Sequence, residues 1–211
     1  MALLFKRIPY DLNVLSGSEG EHLRQPFLGI NPRGKVPVVE HEGLRVTDSL
    51  GIMAWLDREF PTRPLFGETS SEAAEIWSLA TELEDFMRPI HHAAVFPILV
   101  EGVKIDAMDE AEKASMAHAA EELFAEFQRL EHRMGGGPFL LGPNPSAADA
   151  VAFPDVRLID RMNAIAPTTA AAFGYDRFRQ RFPRLTAWRE TVEALPDFQG
   201  CLPPHWAKMA A

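Results

Sequence analysis

Asn31-Pro32-Arg33-Gly34-Lys35-Val36-Pro37-Val38-Val39-Glu40-His41-Glu42-Gly43-Leu44-Arg45-Val46-Thr47-Asp48-Ser49-Leu50-Gly51-Ile52-Met53-Ala54-Trp55 packs three kinds of local structure into one run. Asn31, Pro32 and Gly34 are turn formers. Pro37 to Glu40 and Leu44 to Thr47 are short β-rich runs around Gly43, which predicts a tight hairpin. Asp48 and Ser49 then predict a helix start, with apolar Ile52, Met53, Leu56 and Phe60 on one face.

The chemistry of this run suits a small peptide. A proline entering a strand donates no ladder hydrogen bond. A cis Val36-Pro37 bond would turn the Val36 backbone outward, leaving its N–H and C=O to pair with an extended ligand as an added strand would. Asp48 and Ser49 sit at a helix N-terminus, where free N–H groups and the helix dipole favour an anion. Ser49 suits a carboxylate and Asp48 the ammonium beside it. The expected ligand has a peptide middle and an amino-acid head group, and glutathione fits that description.

Asn-Pro-x-Gly-Lys-Val-Pro-Val, a hairpin, and an acidic residue before a helix-opening Ser resemble the glutathione-binding half of the cytosolic glutathione transferases. Asp48 replaces the more usual Glu and is one methylene shorter, which implies an adjusted reach. The resemblance runs from about Ala2 to Leu195 and is weakest around His91 to Met108. It implies a thioredoxin-like α/β domain over residues 1–67, a linker over 68–76, and an all-α helical-bundle domain over 77–211. It further implies glutathione as co-substrate, a small-molecule electrophile as its partner in reaction, and a two-fold homodimer. Lys35 could face the glycine carboxylate of glutathione, or be an exposed strand-edge lysine.

Composition narrows the class. The 211 residues carry a net charge of -9. That balance argues against a nucleic-acid or anionic-membrane partner, since both need a basic face. The single cysteine, Cys201, excludes an internal disulfide and fits a reducing cytoplasm. No signal-peptide core precedes Lys6-Arg7, and no apolar run approaches the roughly 20 residues of a membrane span.

Ala2 to Arg7 reads as the end of a helix, and Tyr10 to Leu15 alternates as a strand would. Glu21 to Leu28 reads as a short helix with a break at Pro26. In the resembled family a first strand and first helix precede Ile-Pro-Tyr, and the loop after that strand carries a catalytic Ser, Tyr or Cys. Met1 to Pro9 holds none of these, so the resemblance names no catalytic residue and the expected α/β domain is a truncated one. A late start, a shortened chain that repacks and a different alignment of Met1 to Pro9 all remain open.

The second half reads as helical. Pro61 to Thr69 has linker composition. Ser71 to Glu101 predicts a long helix interrupted at Pro89 and Pro97. Met108 to Met134 places Met116, Ala120, Leu123, Phe124, Phe127, Leu130 and Met134 on one face, and the glycines from Gly135 end it. Ser146 and Asp149 have capping-box spacing ahead of a helix with Val151, Val156, Ile159 and Met162 as its buried stripe. Asp176 to Arg181 and the region of Leu185, Trp188, Val192 and Leu195 complete the helices, followed by a tail from Pro196 to Ala211.

Other candidates have ordinary readings. His91 and His92 are better read as structural or solvated than as catalytic, and no further ligands converge on them for a metal. Met87 and Phe96 suit a substrate pocket or a core equally. Cys201 reads as an inert thiol. The reaction implied is attack of the glutathione thiolate on an electrophilic carbon. A glutathione-dependent isomerase is the second enzymatic reading, since Ile8-Pro9-Tyr10 and Gly20-Glu21-His22 look somewhat like the zeta class. A non-catalytic glutathione-binding or scaffold protein is the third.

Overall fold

The computed structural model describes residues 1–17 and 19–203. They form two units, one of Met1–Glu68 joined by residues 197–203, the other Thr69–Pro196. The first is α/β and the second all-α.

The first unit begins with helix α1, Ala2–Lys6, which ends at Arg7 in the left-handed region. Tyr10 to Leu15 is not the strand its alternation predicts. A strand exists only through its ladder, and residues 9–15 make no backbone hydrogen bond among the described residues. The segment predicted as one helix around Pro26 is two short pieces. A 3-10 turn at Glu21–Leu23 and helix α2, Phe27–Ile30, flank the cis Gln25-Pro26 bond.

Strands β1 (Val38–His41) and β2 (Leu44–Thr47) pair antiparallel, Val38 opposite Thr47 and His41 opposite Leu44. The turn residues Glu42 and Gly43 both have positive φ, 48° and 85°, as a two-residue hairpin with the right-handed twist requires. Helix α3, Ser49–Glu59, buries Ile52, Met53 and Leu56. Phe60, expected on that face, is instead the C-cap. It packs edge-on against Trp55 and His41, with ring centroids 6.0 and 5.7 Å away.

A buried ion pair ties α1 to α3. Lys6, only 4% exposed, donates to Asp57 Oδ1 at 2.8 Å and to the carbonyls of Arg63 and Thr62 at 3.0 and 3.3 Å. The Asp57 carboxylate also accepts from the N–H groups of Leu65 and Phe66. Every ammonium proton thus has an acceptor, the condition under which a buried charge is tolerated. Phe198–Cys201 form a 3-10 turn, and the Tyr10 hydroxyl donates to the Gly200 carbonyl at 3.3 Å. Cys201 thus belongs to this unit. Burial, and next the neighbouring Cys201, push the Tyr10 hydroxyl above its ordinary range. The rest of the expected tail, from Pro204, lies outside the described residues.

The second unit opens at α4, Ser70–Glu82, whose N-cap Thr69 and Glu72 form a capping box. Residues 70–76, expected as linker, are its first turns. One π-helical turn, Leu83–Met87, leads into α5, Arg88–Leu99. Pro89 directly follows the π-helical turn, at the second position of α5. Helix α6 spans Glu110–Arg133 and buries Ala120, Leu123, Phe124, Phe127 and Leu130. Met116 and Met134, expected on the same face, are half-buried. Helix α7, Ala147–Ile165, buries all four residues of its expected stripe. Short helices α8 (Pro167–Ala172) and α9 (Phe178–Arg181) lead to α10, Pro183–Glu193.

The core of this unit is aromatic. Trp188, Tyr175, Phe124, Phe127 and Phe182 are fully buried, and Phe178 stands edge-on to Phe127 at 5.0 Å. Two helix ends also cap each other. Glu131 Oε1 near the end of α6 accepts from the Arg184 and Leu185 N–H groups at the start of α10. The Arg184 guanidinium returns to the carbonyls of Glu131, Met134 and Gly135. An acid at a helix N-terminus and a base at a C-terminus are both favoured by the helix dipole.

Candidate functional site

Val38 lies opposite Thr47, so Val36 and the Asp48-Ser49 pair leave the hairpin at the same open end. The Val36-Pro37 bond is cis. Val36 is 61% exposed, and neither its N–H nor its C=O is hydrogen-bonded among the described residues. Lys35 is exposed beside it, and its carbonyl accepts from Asn31 Nδ2 at 2.7 Å.

At the start of α3, Asp48 Oδ1 accepts from the N–H groups of Leu50 and Gly51 at 3.0 and 3.3 Å. Asp48 is thus the helix cap, a role the sequence reading did not give it. Asx and Ser residues at such positions could have signalled it. Its Oδ2 accepts nothing among the described residues, nor is the Ser49 hydroxyl bonded. The Ser49 N–H is also unpaired there, being in the first turn of α3. One carboxylate oxygen, one hydroxyl and one backbone donor are therefore available at an exposed helix N-terminus. Asp48 also holds φ 72° with ψ 134°, a conformation that costs a non-glycine residue about 1–3 kcal/mol and clusters at functional sites. The four residues singled out from sequence, Lys35, Val36, Asp48 and Ser49, are thus adjacent in one unit.

The histidines belong to the second unit. His91 is fully buried. Its Nε2 stands 3.0 Å from the Asp155 carbonyl, which only accepts, so Nε2 carries the proton. Burial, chiefly, holds its pKa down to about 3, with His92 and Arg88 adding to that and the carbonyl opposing it. His92 is exposed and stacks on Phe96 with centroids 4.0 Å apart. Met87 is core. Among the described residues no three of His, Cys, Asp and Glu converge as metal ligands, and no helix is long and apolar enough to cross a membrane.

Ser146 and Asp149 form a second acid-and-serine helix start, fully inside the protein. The Asp149 carboxylate accepts from the Leu140 N–H, the Ser146 N–H and hydroxyl, and Trp188 Nε1, at 2.7 to 2.9 Å. Burial raises its pKa while these four bonds oppose the rise.

Residues 1–59 match the family described as Glutathione S-transferase, N-terminal domain, and residues 113–191 match Glutathione S-transferase, C-terminal domain. A human protein named glutathione S-transferase theta-1 is 26% identical over 194 residues, covering 89% of this chain and 73% of that one. A Vibrio cholerae protein named as a probable maleylacetoacetate isomerase is 25% identical over 209 residues, covering 97% of this chain and 89% of that one. The crystal structure of a glutathione S-transferase from the Antarctic clam Laternula elliptica superposes with a TM-score of 0.75 at 24% identity, covering 98% of this chain and 86% of that one. That likeness establishes the fold, a thioredoxin-like half followed by a helical bundle. With both halves matched in chain order, the protein belongs to the glutathione S-transferase family.

Proposed function

We propose that the protein binds glutathione at the open end of the β1–β2 hairpin and transfers its thiol to an electrophilic small molecule. The observation that carries this reading is the unpaired, outward Val36 backbone beside the unoccupied half of the Asp48-Ser49 helix start. The Val36 amide and carbonyl pair with the middle of the peptide, as an added strand would. Asp48 Oδ2 takes the γ-glutamyl ammonium, while the Ser49 N–H and hydroxyl take the carboxylate beside it. Lys35 offers a cation to the glycine carboxylate. The bound thiolate attacks an electrophilic carbon, forming a C–S bond as the leaving group departs with its electron pair.

Calorimetric titration with glutathione tests the reading on wild type and Asp48→Asn. Asparagine keeps the cap but removes the charge. A hydrogen bond between charged groups is worth roughly 1.5–3 kcal/mol, so affinity should fall by about 10-fold or more. Equal affinities would remove Asp48 from the site.

The zeta-like segments Ile8-Pro9-Tyr10 and Gly20-Glu21-His22, and the isomerase relative spanning 97% of the chain, favour a second reading as a glutathione-dependent isomerase. Such an enzyme would isomerise maleylacetoacetate without consuming glutathione, whereas a transferase consumes one thiol per turnover. We also propose a cytoplasmic homodimer assembled through α4 and α6. Sedimentation at micromolar concentration should give twice the 23.5 kDa chain mass, and a monomer would refute this assembly.

A further inference from the structure

The Val36 amide faces outward because of a residue behind it. Asn31 is 5% exposed and its side chain is bonded at both ends. Nδ2 donates to the Lys35 carbonyl at 2.7 Å, and Oδ1 accepts from the Arg33 N–H at 3.1 Å. Its own carbonyl accepts from the Gly34 N–H at 2.9 Å. The turn that results is tight. Gly34 has φ 60°, and a Cβ there would meet Leu23 Cδ2 at 2.9 Å and the His22 carbonyl at 3.0 Å.

The Lys35 carbonyl and the Val36 N–H belong to one peptide unit. Among the described residues only the bonds before Pro26 and Pro37 are cis, so this unit is trans, and its C=O and N–H point in opposite directions in one plane. Asn31 draws the carbonyl inward, and the N–H is thereby aimed outward, where Val36 is exposed.

We propose that Asn31 is a positioning residue of the glutathione site, setting the direction of the Val36 N–H through the Lys35–Val36 peptide plane. The proposal rests on the glutathione reading above. Asn31 touches no ligand. In strand-like pairing one residue exchanges both bonds with its partner, so the Val36 N–H meets the carbonyl of the ligand's middle, cysteinyl residue.

Asn31→Asp keeps the shape and the acceptor for Arg33 but sets a carboxylate oxygen against the Lys35 carbonyl. Glutathione affinity should fall about 10-fold, the loss of roughly one good hydrogen bond together with its geometry. A glutathione analogue with a thiocarbonyl at the cysteinyl position, a poorer acceptor, separates positioning from general weakening. Wild type should bind the analogue more weakly than glutathione, and Asn31→Asp should bind the two alike. Hydrogen exchange of the Val36 amide in wild type gives a reading that needs no variant, and saturating glutathione should slow it. Unchanged affinity in Asn31→Asp, or a Val36 amide that glutathione leaves unprotected, would overturn the proposal. Wild type failing to bind glutathione at all would instead remove the site itself, and the proposal with it.

Discussion

At the start of α7, Ser146 and Asp149 are buried, and the carboxylate takes four hydrogen bonds from its own chain. At the start of α3, Asp48 and Ser49 offer the same functional groups, yet only one carboxylate oxygen is taken up, by two N–H groups. The first arrangement is complete without a ligand. The second leaves an acceptor and two donors facing solvent. The same residue types thus make a structural cap where they are enclosed and a binding site where they are exposed. Burial sets the difference, because an enclosed carboxylate must find every partner within the protein, whereas an exposed one is satisfied by water until a ligand displaces it.

The largest effect should come from removing the enclosed acid. Asp149→Ala leaves four buried donors without their acceptor. Unsatisfied buried groups cost about 1–3 kcal/mol each, and with relaxation the variant should lose roughly 3–5 kcal/mol in urea unfolding. A loss below about 1 kcal/mol would erase the contrast with α3.

A third carboxylate, Asp155 further along α7, sharpens the comparison because it is buried but incompletely satisfied. It is 3% exposed, and its Oδ2 has no hydrogen bond although Arg88 lies 3.7 Å away. His91 Nδ1 is 3.8 Å from Oδ1. Burial first, opposed by Arg88 and assisted by Glu84, pushes the Asp155 pKa from 3.8 up to about 7. That contribution to stability is complete below pH 3.8 and is lost as pH rises through about 7. His91 behaves in reverse. Its contribution is complete above pH 6.5 and is lost as pH falls toward about 3. Between about pH 4 and 6.5 the pair holds one proton in either state, on Asp155 when folded and on His91 when unfolded, so their slopes cancel. Asp155→Asn removes one half of the balance. The urea midpoint of the variant should decline relative to wild type as pH is lowered from 6.5 toward about 4. Parallel profiles would show that the two groups do not offset each other.

The smallest change in stability should be at the exposed acid. Asparagine caps a helix about as well as aspartate, so Asp48→Asn should unfold within about 0.5 kcal/mol of wild type even as its glutathione affinity drops. A large destabilisation there would make Asp48 a structural residue like Asp149.

Much of this was legible in the residues alone. The β1–β2 hairpin, the start of α3, the buried stripe of α7 and the Ser146–Asp149 box all follow from contacts between residues a few positions apart. Sequence records such contacts as periodicity and spacing. It therefore groups Lys35, Val36, Asp48 and Ser49 around one hairpin. It did not separate the cap half of Asp48 from the free half, because which lone pair is occupied depends on the backbone angles at the helix start. It read Tyr10 to Leu15 as a strand, because alternation records β propensity, whereas a strand also needs a neighbour. The Lys6–Asp57 pair, the Glu131–Arg184 exchange and the Trp188 donor to Asp149 join residues far apart in sequence. No local pattern encodes those partners. Only the folded chain brings them together, since the demand that each buried polar group find a partner is met across tertiary distances.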